Sequence, residues 1–253
     1  MITAGSIGAF FDLDGTLLPA PSLETRFLKY LVSQRLVRVS SVLKWVWRAT
    51  QPGQFGKFAA NKTYLSGLPE SVAASWAEST CAQDSSPETL RFFEEGLARI
   101  AWHQAQNHRV FLVSGTLAPL VSQLLRFLPG EIRVMATELA TDSFSSMWTG
   151  ELAGEHMVGF AKLRAMLALA NEYQVNLRSS YAYGDSPADR PMLEAVGHPE
   201  AVNPSARLAR VARQRGWTIS NWTLAKGGPN KVQGKLIPIT RRAGLMALAE
   251  RSR

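Results

Sequence analysis

The chain has 253 residues, 46% of them hydrophobic, and a formal net charge of +8. That composition excludes a disordered chain and fills a sizeable core, built as one large domain or as a domain carrying an insertion. A single cysteine, Cys81, excludes an intrachain disulfide and favours a reducing compartment, and His103, His108, His156 and His198 lack zinc-finger or H-E-x-x-H spacing.

In chain order, the first apolar run spans Ile7 to Phe11 and is cut short by Asp12 and Asp14. It reads as a buried strand at 8–11 rather than a secretory leader. From 21 to about 86 the pattern is helical, with no convincing strand. Val39, Val42, Leu43, Val46 and Trp47 recur on one helix face, which suggests packing inside the segment. Turn signals at 51–53, 67–69 and 85–87 divide it into about four helices.

Beyond it, candidate strands at 110–113, 132–136, 181–183 and 201–202 alternate with helices at 87–106, 118–127, 160–173, 191–195 and 206–215. This alternation predicts an α/β fold with a mainly parallel sheet. The polar stretch 137–154 reads as a β-hairpin excursion. The longest uncharged stretch, between Arg109 and Arg126, falls short of the ~18 residues a spanning helix needs. We therefore expect a soluble, cytoplasmic protein. From Asn221 to Arg253 seven cations accompany one acid. Without aromatic-interleaved recognition motifs, this tail reads as a solvated end, and nucleic acid is not an expected partner.

Four motifs carry chemistry. Asp12 and Asp14 end the first strand, and Gly15 turns the chain sharply there. Two carboxylates so close call for a cation or a shared proton. A calcium loop counted from Asp12 would need Gly and Glu where Leu17 and Leu23 stand. Second, Ser114-Gly115-Thr116 follows an apolar strand and leads into a helix, a loop that suits an anion or is an ordinary turn. Third, Asp185 repeats the strand-end placement of Asp12, while Asp189 lies four residues on and would equally cap the next helix. Lys162 sits in an amphipathic helix, where a lysine usually faces solvent.

In this order the motifs resemble those of the haloacid dehalogenase superfamily of phosphohydrolases. The helical insertion resembles the small cap of its phosphoserine-phosphatase-like branch. The resemblance implies a Rossmann-like three-layer core at 1–18 and 88–253 and an all-helical cap at 19–87. It implies Asp12 as nucleophile, Asp14 as general acid and base, Ser114 and Lys162 as further catalytic groups, and Gly115 and Thr116 as phosphate contacts. Mg²⁺ would be held by Asp12, Asp14 through its backbone carbonyl, Asp185 and Asp189.

In the cap the pattern departs. Pro21 stands where phosphoserine phosphatases carry a substrate-gripping glutamate, and Glu24 comes three residues late. Lys62 aligns with the family's carboxylate-binding arginine and would hold an anionic substrate group or be an exposed helix lysine. The expected activity is hydrolysis of a small phosphorylated metabolite, with phosphoserine not favoured. The alternatives are a lipid-phosphate phosphatase at the membrane surface, suggested by Trp45, Trp47, Lys44, Arg48 and the tail, and a non-catalytic phosphate- or nucleic-acid-binding module.

Overall fold

Phe10 and Phe11 are both buried and point to opposite faces of the central strand, β1 (Gly8–Phe11), because successive strand side chains alternate. Phe10 stacks on Phe111 at 4.7 Å between ring centroids, and Phe11 stacks on Tyr183 at 4.4 Å. Two hydrophobic cores therefore form, one on each face of the sheet. Each fully buried aromatic ring contributes about 1.5–3 kcal/mol. The computed structural model describes residues 5–37, 39–49, 60–81 and 90–224.

The six-stranded sheet has the order β3-β2-β1-β6-β7-β8, and every pair in it is parallel. Its other strands are β2 (Arg109–Leu117), β3 (Arg133–Thr137), β6 (Tyr181–Gly184), β7 (His198–Val202) and β8 (Thr218–Ser220). Helices α4 (Glu94–Ala105) and α5 (Ala118–Leu124) cover one face. Helices α6 (Phe160–Glu172), α7 (Arg190–Glu194) and α8 (Ala206–Arg215) cover the other. This is the expected Rossmann-like, three-layer α/β/α architecture. The chain leaves β1 toward β2 and β3, then returns to β6 on the other side of β1. The switch point of the sheet lies between β1 and β6, where open α/β sheets bind ligands.

Between β1 and α4 the described residues form three helices, α1 (Leu23–Ser33), α2 (Val39–Ala49) and α3 (Ser71–Cys81), and a 3₁₀ turn at Thr63–Leu65. Against the hairpin β4 (Leu139–Thr141) and β5 (Trp148–Leu152), this helical segment makes one continuous core. Phe27 of α1 meets Trp76 of α3 and Trp148 of β5 edge-on at 5.6 and 6.3 Å. The backbones also join, Gly67 N–H donating to Trp148 O at 2.8 Å and Trp148 N–H to Leu68 O at 2.9 Å.

Several expectations need correction. Ser114, Gly115 and Thr116 lie within β2, which runs to Leu117 with an irregular register against β3, rather than in a loop. The helix expected at 87–106 starts at Glu94, residues 90–93 being non-helical and 82–89 lying outside the described residues. The strand β8 was not anticipated, since Thr218–Ser220 is short and half-exposed. Trp47 does not pack inside: it is 63% exposed, as are Val39 and Leu43 at 75% and 65%. The turn signals at 51–53 and 85–87 and the basic tail beyond 224 lie outside the described residues.

Beneath the sheet, His103 is fully buried. Its Nδ1 pairs with His108 Nδ1 and its Nε2 with Tyr183 Oη, each at 2.8 Å. Burial, with His108 and Arg99 nearby, lowers the His103 pKa to about 3. The folded state thus holds a neutral imidazole that becomes protonated on unfolding below its ordinary value of 6.5. Its contribution to stability is complete above that value and declines as pH falls through the window down to about 3. The excess Tm of the wild type over His103→Gln should therefore shrink between pH 7 and pH 5. A pH-independent difference in thermal melts would contradict the neutral imidazole.

Candidate active site

β1 delivers Asp12 to the switch point. Its N–H donates to Tyr183 O at 3.0 Å, carrying the β1–β6 ladder one residue past the strand. The registers, with Phe11 opposite Leu112 and Tyr183, bring the ends of β1, β2 and β6 to one place. Asp12 and Asp185 emerge there, with Ser114 alongside.

Two glycines allow the acidic groups to meet. Gly15 has φ +87°, and a Cβ there would sit 2.4 Å from the Asp185 carboxyl carbon. At Gly184 a Cβ would sit 2.4 Å from Asp189 Cβ. Alanine at either position would push a carboxylate out of the cluster.

One carboxylate oxygen from each of Asp12, Asp185 and Asp189 lies within 4.8 Å of the others. Lys162, on the first turn of α6, is buried rather than solvent-facing. Its ammonium donates to Asp12 Oδ1, and to Asp189 Oδ1 at 2.5 Å. Asp189 Oδ2 accepts from Ser186 N–H at 3.0 Å and Ser186 Oγ at 2.8 Å. Both Asp189 oxygens are thus engaged, and its side chain makes no capping bond to α7.

Asp14 faces the helical segment. Its Oδ1 accepts from Leu23 N–H at the start of α1 at 2.7 Å, and its Oδ2 from the Thr116 hydroxyl. Ser114 is buried, its Oγ accepting from Thr116 N–H at 3.2 Å. At Gly115 an added Cβ would press on Val158 at 3.0 Å, so this glycine serves a close approach by the 156–158 segment.

Electrostatics follow from burial. Desolvation raises the carboxyls of Asp12 and Asp14, and raises Asp185 to about 7 with Asp189 adding repulsion. Burial alone would lower the Lys162 pKa, but the Asp12 and Asp189 carboxylates outweigh it and keep the ammonium charged. Three carboxyls against one ammonium carry a residual negative charge once a second of them ionises, a state that burial resists without further positive charge. An all-oxygen donor set with that residual charge fits Mg²⁺, a hard divalent ion.

Two polar residues that the sequence reading left out of the site complete its rim. Glu24 of α1 forms an ion pair with Lys62, which is 2% exposed rather than a surface helix lysine. Burial raises the Glu24 carboxyl against the pull of Lys62, and Asp14 is close enough to raise it further. His156, held down to about 4 by burial and by Lys62, also bonds the Gly115 backbone and feels Lys162. Glu24 had a signal in its nearness to the expected glutamate position. His156 had none, its histidine spacing being uninformative.

The family model for haloacid dehalogenase-like hydrolases matches residues 9–194. Phosphoserine phosphatase SerB1 of Mycobacterium tuberculosis is 30% identical over 227 residues, covering 86% of this chain and 71% of that protein. A second protein of that organism, named "Probable phosphatase", is 30% identical over 254 residues, covering 95% and 85%. A solved phospho-aspartyl intermediate analogue of phosphoserine phosphatase superposes with a TM-score of 0.58 at 18% identity, over 86% of this chain and 93% of that one, a likeness of fold. The chain belongs to the haloacid dehalogenase-like hydrolase family.

Proposed function

We propose that the chain is a Mg²⁺-dependent phosphomonoester hydrolase that forms an aspartyl phosphate on Asp12 and acts on a small phosphorylated metabolite. One observation carries this reading: Asp12 sits at the sheet's switch point against the Lys162 ammonium, with Asp185 and Asp189 beside it. The relatives named as phosphatases support a phosphatase reading.

In this reading an Asp12 carboxylate oxygen attacks phosphorus as the bond to the leaving oxygen breaks. Asp14, its carboxyl raised by burial and its position fixed by Thr116 and Leu23 N–H, donates a proton to that oxygen. Asp14 then takes a proton from water, whose oxygen attacks phosphorus, releasing inorganic phosphate and restoring Asp12. An anionic nucleophile and an anionic phosphate repel by about 4 kcal/mol per pair of unit charges at 4 Å in a medium of effective dielectric near 20. Lys162 offsets that repulsion, while Ser114, Thr116 and neighbouring backbone N–H groups hold phosphate oxygens. Mg²⁺, held by Asp12 and Asp185 with the Asp14 carbonyl, would supply the remaining positive charge. Asp189, bonded to Lys162 and Ser186, fixes the ammonium and would support the ion through its remaining lone pairs. Among the described residues, Lys62 is already neutralised by Glu24 on the Asp14 side of the site. A substrate carboxylate would have to displace that pairing, so phosphoserine is not favoured.

With p-nitrophenyl phosphate, turnover should appear with Mg²⁺, fall to background in EDTA and return when Mg²⁺ is restored. Mg²⁺ should also raise the Tm of the wild type. Asp185→Asn should melt higher than wild type at neutral pH without metal and gain nothing from Mg²⁺, because burial and Asp189 hold the Asp185 carboxyl at about 7 and the amide removes the cost of ionising it. EDTA-insensitive hydrolysis would contradict the metal requirement.

A further inference from the structure

The apolar stripe of α2 faces away from the protein. At about 100° per residue, Ser41 and Trp45 define one side of the helix. That side is turned inward: Ser41 is buried, and Trp45 Nε1 donates to Asn61 O at 3.1 Å. Val39, Leu43 and Val46 fall on the opposite side and are 75%, 65% and 49% exposed, with the exposed Trp47 next to them. Val32 and Leu36, at the corner between α1 and α2, extend the same exposed apolar character. A soluble helix normally turns such a stripe into its core.

The surrounding charge indicates what the stripe meets. In sequence, residues 25–69 hold eight cations and no acid, although Lys62 is taken up by Glu24. Lys29, Arg35 and Lys44 are exposed around the α1–α2 corner. An apolar helical face flanked by exposed Lys and Arg is the amphipathic pattern that inserts at a lipid headgroup boundary, and anionic lipid adds attraction for each cation. A second copy of this chain would bring the same positive field against itself, so self-association through this face is opposed.

We propose that α2 and the α1–α2 corner dock on an anionic lipid bilayer, with Val39, Leu43 and Val46 entering the headgroup boundary and Lys29, Arg35 and Lys44 meeting lipid phosphates. This is a peripheral contact: among the described residues no helix is long and apolar enough to cross a membrane. The contact is independent of the phosphatase chemistry, since none of these side chains belongs to the site.

The test is co-sedimentation of the full chain with phosphatidylcholine vesicles, with and without one third phosphatidylglycerol, alongside the Leu43→Glu/Val46→Glu variant. The wild type should pellet with the anionic vesicles and stay in solution with the neutral ones. The double variant should bind the anionic vesicles at least tenfold more weakly, at unchanged Tm and p-nitrophenyl phosphate turnover. The basic residues beyond 224 are the same in both proteins, so equal binding by the variant would assign the attraction to them and overturn the proposal. Absence of wild-type binding would overturn it too. So would a concentration-dependent dimer, seen by sedimentation velocity, that the double substitution dissolves.

Discussion

Asp12→Asn should leave the fold intact and lower p-nitrophenyl phosphate turnover by about 10⁴-fold or more, as expected when a residue acting in covalent catalysis is removed. The amide has nearly the same shape as the carboxylate, so the β1–β6 ladder through the Asp12 N–H persists. Lys162 keeps a charged partner in Asp189. What disappears is an anionic oxygen able to attack phosphorus. Burial raises the Asp12 carboxyl, so the folded protein resists its ionisation; the amide removes that cost, and the metal-free Tm of the variant should equal or exceed that of the wild type. Steady-state kinetics with a thermal melt would check both halves. Residual turnover within tenfold of wild type would place the nucleophile elsewhere.

Lys162→Met should cost both activity and stability. Methionine fills a similar volume, so any effect comes from charge rather than from a cavity. Without the ammonium, Asp12, Asp185 and Asp189 stand together with, among the described residues, Ser186, Thr16 and the Asp185 backbone N–H donating to them. Removing one partner of a buried ion pair typically destabilises a protein by about 3–5 kcal/mol. Part of that loss should be recovered by Mg²⁺, which replaces positive charge at the cluster, while turnover should stay at least about 10³-fold down with metal present. A variant as stable as wild type in EDTA would mean that the carboxylates are already protonated in the folded protein and that the ammonium compensates nothing.

The parts of the site that were legible in the sequence are those fixed by strand ends. Asp12 and Asp185 each close a short apolar run, and a parallel sheet has to bring such ends to one edge. Lys162 was legible only through its order between motifs, because its helix is amphipathic and a lysine there ordinarily faces water. Its burial depends on Asp189, a long-range partner that periodicity cannot reveal. Ser114–Thr116 looked like a loop because Ser-Gly is a turn signal, yet pairing with β3 keeps the segment extended to Leu117. The α2 stripe misled in the other direction. Its period-3.6 pattern correctly gave a helix, but periodicity says which residues share a face, not whether that face turns inward. The Glu24–Lys62 pair was out of reach for the same reason: it joins residues 38 positions apart and depends on how the 3₁₀ turn lies against α1.

The most direct measurement is to trap the phosphorylated enzyme. Sodium borohydride added during steady-state turnover of p-nitrophenyl phosphate reduces an acyl phosphate to an alcohol, turning the modified aspartate into homoserine. Peptide mass mapping should find homoserine at position 12 alone, dependent on substrate and Mg²⁺. Homoserine at another aspartate, or none while turnover continues, would contradict an aspartyl phosphate on Asp12.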